Sequence, residues 1–201
     1  MDEEKTNDTD NRNWGYDPEN YNAPDGSYSI NPSDPLQRIK SVRQMVSSFH
    51  QKGIGVVMDM VYSHMIETSN LDKIVPKYYF RTDGLGNFTN GSGCGDEMAT
   101  ERPMVSKFIQ DSVIHWVKNY KIDGLRFELM ELIDLDTIKN IVTKVKNIDP
   151  NIIIYGEPWK AGDSPLVNGT DKGTQRNQDF GVFNDSFRDA IRGNNALKMV
   201  L

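Results

Sequence analysis

GLRFELM, residues 124–130, sets Arg126 and Glu128 into an otherwise apolar run. Side chains on a strand alternate with period two, so Leu125, Phe127 and Leu129 share one face and the two charges share the other. An Arg and a Glu at the end of a buried strand call for a partner or a task. The runs on either side repeat the pattern. IGVVMDMVY (54–62) is a near-continuous apolar strand carrying Asp59, with His64 just beyond it, and NIIIYGEPW (151–159) ends on Glu157 and Trp159. Each predicted strand therefore delivers a polar or charged group near its C-terminal end.

Helical spacing fills the intervals. Leu36, Ile39, Val42, Met45, Val46 and Phe49 predict one helix closed by Gly53. A second starts at Pro103 and carries Val105, Phe108, Ile109, Val113, Trp116, Val117 and Tyr120; a third starts near Asp134 with Leu135, Ile138, Ile141, Val142 and Val145. Residues 66–102 and 160–183 read as loops, the polar residues 2–13 as a loop or frayed end, and residues 184–192 as a short helix. Helices alternating with apolar strands indicate parallel α/β architecture, either an open doubly wound sheet or an eight-stranded barrel. Neither GxGxxG nor GxxxxGK[ST] occurs, which removes the usual support for phosphate-cradling folds. In a barrel, the strand ends bearing Asp59, Arg126, Glu128 and Glu157 are the catalytic face.

The 201 residues are 37% hydrophobic and 26% charged with a net charge of −6, an ordinary globular composition. This mild acidity argues against nucleic acid or an anionic membrane as partner, and no apolar run reaches the length of a membrane span. A single cysteine, Cys94, excludes an internal disulfide and a cysteine-based metal cluster. Asp83, Asp96 and Glu97 are acids of the kind that ligate calcium, but they lack EF-hand spacing, so no metal site or cofactor is expected.

Five segments, NWGYDPENYNAPDGSYS (13–29), VVMDMVYSH (56–64), NGSGCGDEMATERPMV (90–105), IDGLRFELM (122–130) and YGEPW (155–159), together resemble the alpha-amylase superfamily of glycoside hydrolases, most closely the type I pullulanases. The resemblance runs from about residue 11 to about residue 193. It implies a partial (β/α)8 barrel, roughly the third to fifth strands, so that residues 1–201 are expected to be part of one catalytic domain incomplete at both ends. It also implies an α-glucan substrate cleaved at α-1,6 branches by a retaining two-carboxylate route. Glu157 would be the acid/base, Glu128 would stand at the nucleophile position, and Tyr16, His64, Arg126 and Trp159 would bind the sugar.

The residues agree with those roles. A guanidinium beside Glu128 favours its ionised form, as a nucleophile requires, and Trp159 offers Glu157 an apolar neighbour that favours the protonated acid. Asp59, flanked by apolar residues, is expected to be buried and paired with Arg126. The plain alternative for each of these residues is a structural ion pair, a solvated strand end or a packed ring.

Three positions depart from the family pattern. Glu128 stands where the family has Asp, Ser63 where it has Asn, and Glu131 where it has Gly. The extra methylene moves a carboxylate by about 1.5 Å, enough to expect a severely weakened nucleophile. A catalytically inactive remnant that still binds glucan is the alternative function.

Overall fold

The computed structural model describes residues 14–66 and 68–193. The loop expected at residues 2–13 lies outside the described residues. The strands are β1 (Val57–Met60), β2 (His64–Met65), β3 (Asp96–Glu97), β4 (Gly124–Phe127), β5 (Ile153–Gly156) and β6 (Gly181–Val182). The helices are α1 (Pro35–His50), α2 (Ser69–Asp72), α3 (Pro103–Tyr120), α4 (Leu135–Lys146) and α5 (Asp185–Arg192). Strands β1, β4, β5 and β6 pair in that order and in parallel, while β2 and β3 form a small antiparallel pair. The sheet is part of a barrel wall, and among the described residues it does not close. The expected three strands are thus four. Two-residue β6 lies within the stretch 160–183 that reads as loop, too short to show an alternating pattern.

Local chemistry places the helix starts. Asp34 caps α1 by accepting from the Leu36 N–H, with Pro35 in the first turn, and Asp134 caps α4 by accepting from Asp136 and Thr137. Helix α3 starts at Pro103 and ends at Lys121, whose φ of 58° is left-handed. Its apolar stripe (Val105, Ile109, Val113, Trp116, Val117) and that of α4 (Ile138, Ile141, Val145) pack on Leu125, Phe127 and Ile154 of the sheet.

The stripe of α1 is different. Val46 is buried and Ile39 and Val42 pack against the core, but Leu36, Met45 and Phe49 are exposed. Helix α1 lies at the β1 edge, where an apolar groove of about 450 Å³ runs between it, β1 and the N-terminal segment. Periodicity identifies an apolar face; it does not say that every residue on that face is covered.

The opposite sheet face holds Val57 and Asp59 of β1, Gly124 and Arg126 of β4, and Ile153 and Tyr155 of β5, aligned in register. It is open: Val57 is 41% and Ile153 57% exposed. Asp59 is exposed for the same reason, which corrects the expectation that its apolar neighbours bury it. Its predicted partner is right, since Arg126 Nη1 donates to Asp59 Oδ1 at 2.7 Å.

Two long-range anchors bring loops over the strand ends. Trp116 Nε1 donates to the Tyr21 carbonyl at 2.9 Å, and Tyr21 Oη donates to the His64 carbonyl at 3.1 Å, holding the N-terminal segment down. The loop before α3 is held by Arg81, which is 3% exposed and pairs with fully buried Glu97. Arg81 also pairs with Glu101 at 2.8 Å and donates to the Leu132 carbonyl at 3.2 Å, while Ser164 Oγ donates to Glu97 at 2.6 Å. Glu97 is therefore committed to this network. Asp83 accepts from the Leu85 and Asn87 N–H groups, and its Asn87 contacts hold its pKa below the usual carboxylate range. Asp96 sits in β3 opposite Met65.

Arg81→Ala leaves the Glu97 carboxylate buried without its cation. Breaking a buried pair in this way costs about 3–5 kcal/mol. A large fall in the urea midpoint of the chain is expected, and an unchanged midpoint would show that the network carries no stability.

Candidate active site

Arg126 is the hub of the strand ends. Its Nη1 donates to Asp59, to Glu128 Oε2 and to Tyr16 Oη (3.3 Å), while Nη2 donates to Glu157 Oε1 at 2.6 Å. The guanidinium also lies over two rings, 5.9 Å from the Tyr16 centroid and 5.8 Å from that of Phe183. Burial works against its charge, and the ion pairs with Asp59, Glu128 and Glu157 outweigh it, raising its pKa above the ordinary arginine value.

The two glutamates follow directly on their strands. The Glu128 N–H donates to the Met60 carbonyl at 3.0 Å and the Glu157 N–H to the Phe127 carbonyl at 3.0 Å, so the ladders run on into the site. Leu129 then takes a left-handed φ of 44°, a conformation rare for a side chain of its size, and aims its N–H at Glu157 Oε2, 3.1 Å away. Glu157 thus accepts from both Arg126 and the Leu129 backbone. Glu128 sits on Nη1 of the same guanidinium whose Nη2 holds Glu157, so the two carboxyl groups are neighbours. Desolvation, and then the charge of Glu157, outweigh Arg126 and push the Glu128 carboxyl up to about 7.

Gly156 lets the two strands approach this closely. A Cβ there would lie 2.7 Å from the Phe127 carbonyl oxygen and 2.7 Å from Met130 Sδ. Gly156→Ala must push β5 off β4 just before Glu157. Overpacking of this kind costs about 1–3 kcal/mol, so the melting temperature should fall by several degrees. An unshifted melt would mean that the strands part without strain.

Tyr16 arrives from the N-terminal segment. Its hydroxyl donates to Asp59 Oδ2 at 2.9 Å, and its pKa is pushed up to about 12 by burial, then by Asp59. Trp14 lies beside it, with ring centroids 6.4 Å apart. On the far side, the Trp159 ring sits 6.2 Å from Phe183, with Arg188 5.8 Å above it. Tyr16 beside the acids, and Trp159 one ring further out beyond Phe183, are aromatic surfaces of the kind that sugar C–H faces stack on.

His64 is buried, and burial lowers its pKa, keeping the imidazole neutral. Its Nε2 lies 3.1 Å from the Tyr16 carbonyl, which can only accept, so Nε2 carries the hydrogen. Nδ1 then accepts from the Ser63 hydroxyl at 3.0 Å. Ser63 thus serves as the ring's orienting group, and a sugar hydroxyl reaches Nε2 only in competition with the Tyr16 carbonyl. Cys94 Sγ lies 3.3 Å from the same nitrogen. The other departure, Glu131, pairs with Lys160 at 2.9 Å and ties the segment after β4 to the loop after β5.

Of the residues singled out in the sequence, Glu128, Glu157 and Tyr16 meet around the Arg126 guanidinium, Trp159 packs on Phe183 rather than against Glu157, and His64 donates to the Tyr16 carbonyl. Two participants were missed. Phe183 follows β6, and its N–H donates to the Gly156 carbonyl at 3.1 Å. The only signal for it was an aromatic residue after the short apolar pair Gly181–Val182. Leu129 carried no signal, because a backbone donor is independent of side-chain type.

No family model matches the chain. Among curated proteins it is 41% identical to the pullulanase of Bacillus subtilis strain 168 over 96% of its own length and 27% of that protein's. Among solved structures it matches the pullulanase of Bacillus acidopullulyticus with a TM-score of 0.88 at 49% identity, covering 90% of this chain and 23% of that one. It also matches a pullulanase from Anoxybacillus sp. LM18-11, solved with maltotetraose, with a TM-score of 0.87 at 43% identity, covering 90% and 27%. The chain spans about a quarter of the length of these relatives. Sequence similarity along nearly its whole length and a shared fold agree that the chain is homologous to about a quarter of a pullulanase, a glycoside hydrolase.

Proposed function

We propose that residues 1–201 form part of a (β/α)8 catalytic domain that hydrolyses α-1,6-glucosidic branch linkages of pullulan, glycogen or starch-like glucans. The reaction is a retaining, two-step displacement. Glu128 attacks the anomeric carbon while Glu157 protonates the departing glycosidic oxygen; Glu157 then deprotonates the water that releases the sugar from Glu128. Arg126 orients both acids, Tyr16 and Trp159 offer stacking surfaces, and His64 meets sugar hydroxyls as the Tyr16 segment adjusts.

One observation carries this reading: two carboxyl groups on adjacent parallel strand ends, on the same open face, held by a single guanidinium. The maltotetraose in the Anoxybacillus structure supports an α-glucan as ligand.

The test is a chimaera in which this chain replaces the matching segment of the Bacillus subtilis relative. Pullulan hydrolysis is expected, with the α-anomer as first product by proton NMR; β-anomer release would rule out the two-step route. A second reading, glucan binding without cleavage, is favoured by the crowding of Glu128 and Glu157 on one guanidinium, with the longer side chain at 128 in place of the family's Asp. Binding of maltotetraose with no measurable cleavage by the chimaera would select it.

A further inference from the structure

The strand ends set one cation against three acids. Arg126 faces Asp59 from β1, Glu128 from its own strand and Glu157 from the end of β5. Tyr16 adds a hydroxyl from the N-terminal segment, and the segment after β6 adds the uncharged ring of Phe183. Were all three acids ionised, the cluster would carry two uncompensated negative charges. Two of those acids, Glu128 and Glu157, sit on the two terminal nitrogens of that one guanidinium, and neighbouring carboxylates with a single cation between them repel when both are ionised.

The hydrogen bonds decide which of them gives way. Asp59 is solvated and accepts from both Arg126 and the Tyr16 hydroxyl. Glu157 has Arg126 Nη2 to itself and the Leu129 N–H besides. Among the described residues, the donor to Glu128 is Arg126 Nη1, which is divided among Glu128, Asp59 and Tyr16. The Glu128 side chain is 15% exposed, so water compensates little. Its anion is the least supported of the three.

We propose that Glu128 and Glu157 share one proton, that it resides on Glu128, and that Glu128 donates it to Glu157. This charge distribution is the reverse of the one the two-step reaction needs, in which residue 128 attacks as an anion and residue 157 carries the proton. The inference rests on the functional reading only in this consequence; the charge state is a property of the free chain. The family's shorter Asp would stand back from Glu157, so the shared proton is specific to the longer side chain here.

The sign of the pH dependence follows. The Glu128 carboxyl is raised in the folded chain, to about 7. The folded state therefore keeps a proton that the unfolded state has lost. Its stabilisation is complete below the ordinary carboxyl range and disappears as pH rises through about 7.

The test is a carboxyl-carbon NMR titration of the chain labelled with ¹³C at the glutamate Cδ, with Glu128→Gln and Glu157→Gln assigning the two signals by their loss. The Glu128 signal is expected to move with a midpoint near 7. A Glu128 midpoint in the ordinary acid range overturns the proposal.

A melt series supplies a second measurement. The amide introduced by Glu128→Gln can donate to Glu157 at any pH, so that variant should match the parent's melting temperature in mild acid and should not lose it on going alkaline. Equal pH slopes for the two proteins overturn the proposal. A neutral-range midpoint on Glu128 together with an inert chimaera would uphold the shared proton and remove the hydrolase reading instead.

Discussion

Glu157→Gln should abolish pullulan hydrolysis by the chimaera, lowering kcat by about 10²–10⁴-fold, the usual worth of a positioned proton donor. A glucosidic oxygen is a poor leaving group unless it is protonated as the bond breaks, and an amide has no such proton to give. The geometry adds a second loss. The Glu157 carboxylate accepts from Arg126 on one oxygen and from the Leu129 N–H on the other. Gln can satisfy only one of these donors and turns an NH₂ group on the other. An aryl glucoside with an acidic phenol as leaving group needs no proton and should lose far less in its first step. The check is the kcat/KM ratio for pullulan against such a substrate, which reports the first step. A variant within a few-fold of the parent on pullulan would take Glu157 out of the acid role.

Glu128→Asp is expected to change the rate in the opposite direction. Removing one methylene withdraws the carboxylate by about 1.5 Å, away from Glu157 on the neighbouring guanidinium nitrogen and toward the spacing that a retaining pair needs. A misplacement of about 1 Å at a reacting group costs on the order of 100-fold, so kcat should rise by at least that factor, with KM changing less. The variant also frees the attacking group from the shared proton, which should move the rising limb of the pH–rate profile to lower pH. Rates equal to the parent's, measured side by side on pullulan, would mean that Glu serves here as well as Asp and that its longer side chain moves aside freely when sugar binds.

Much of this site was legible along the chain because its periodicities are local. Period two placed Arg126 and Glu128 on one face, and the register confirms Asp59 opposite Arg126. The 3.6-residue stripes of α3 and α4 marked their buried sides. Where the same logic failed, coverage rather than direction was at issue. Asp59 and the outer residues of α1 point where their spacing says, onto surfaces that no described element covers. Phe183 stayed hidden because a two-residue strand has no period to detect.

By itself, then, the chain's order of residues determined the main helices, three of the sheet's four strands, their parallel arrangement and most of the side chains at the strand ends, since each depends on neighbours a few positions apart. Only the tertiary structure decided that Tyr16 reaches Arg126 across 110 residues, that a left-handed Leu129 donates to Glu157, and that Glu128 shares its guanidinium with Glu157. Those contacts set which acid keeps a proton. Charge is governed by through-space distance and by the donors left over, and neither is written in the spacing of residues along a strand.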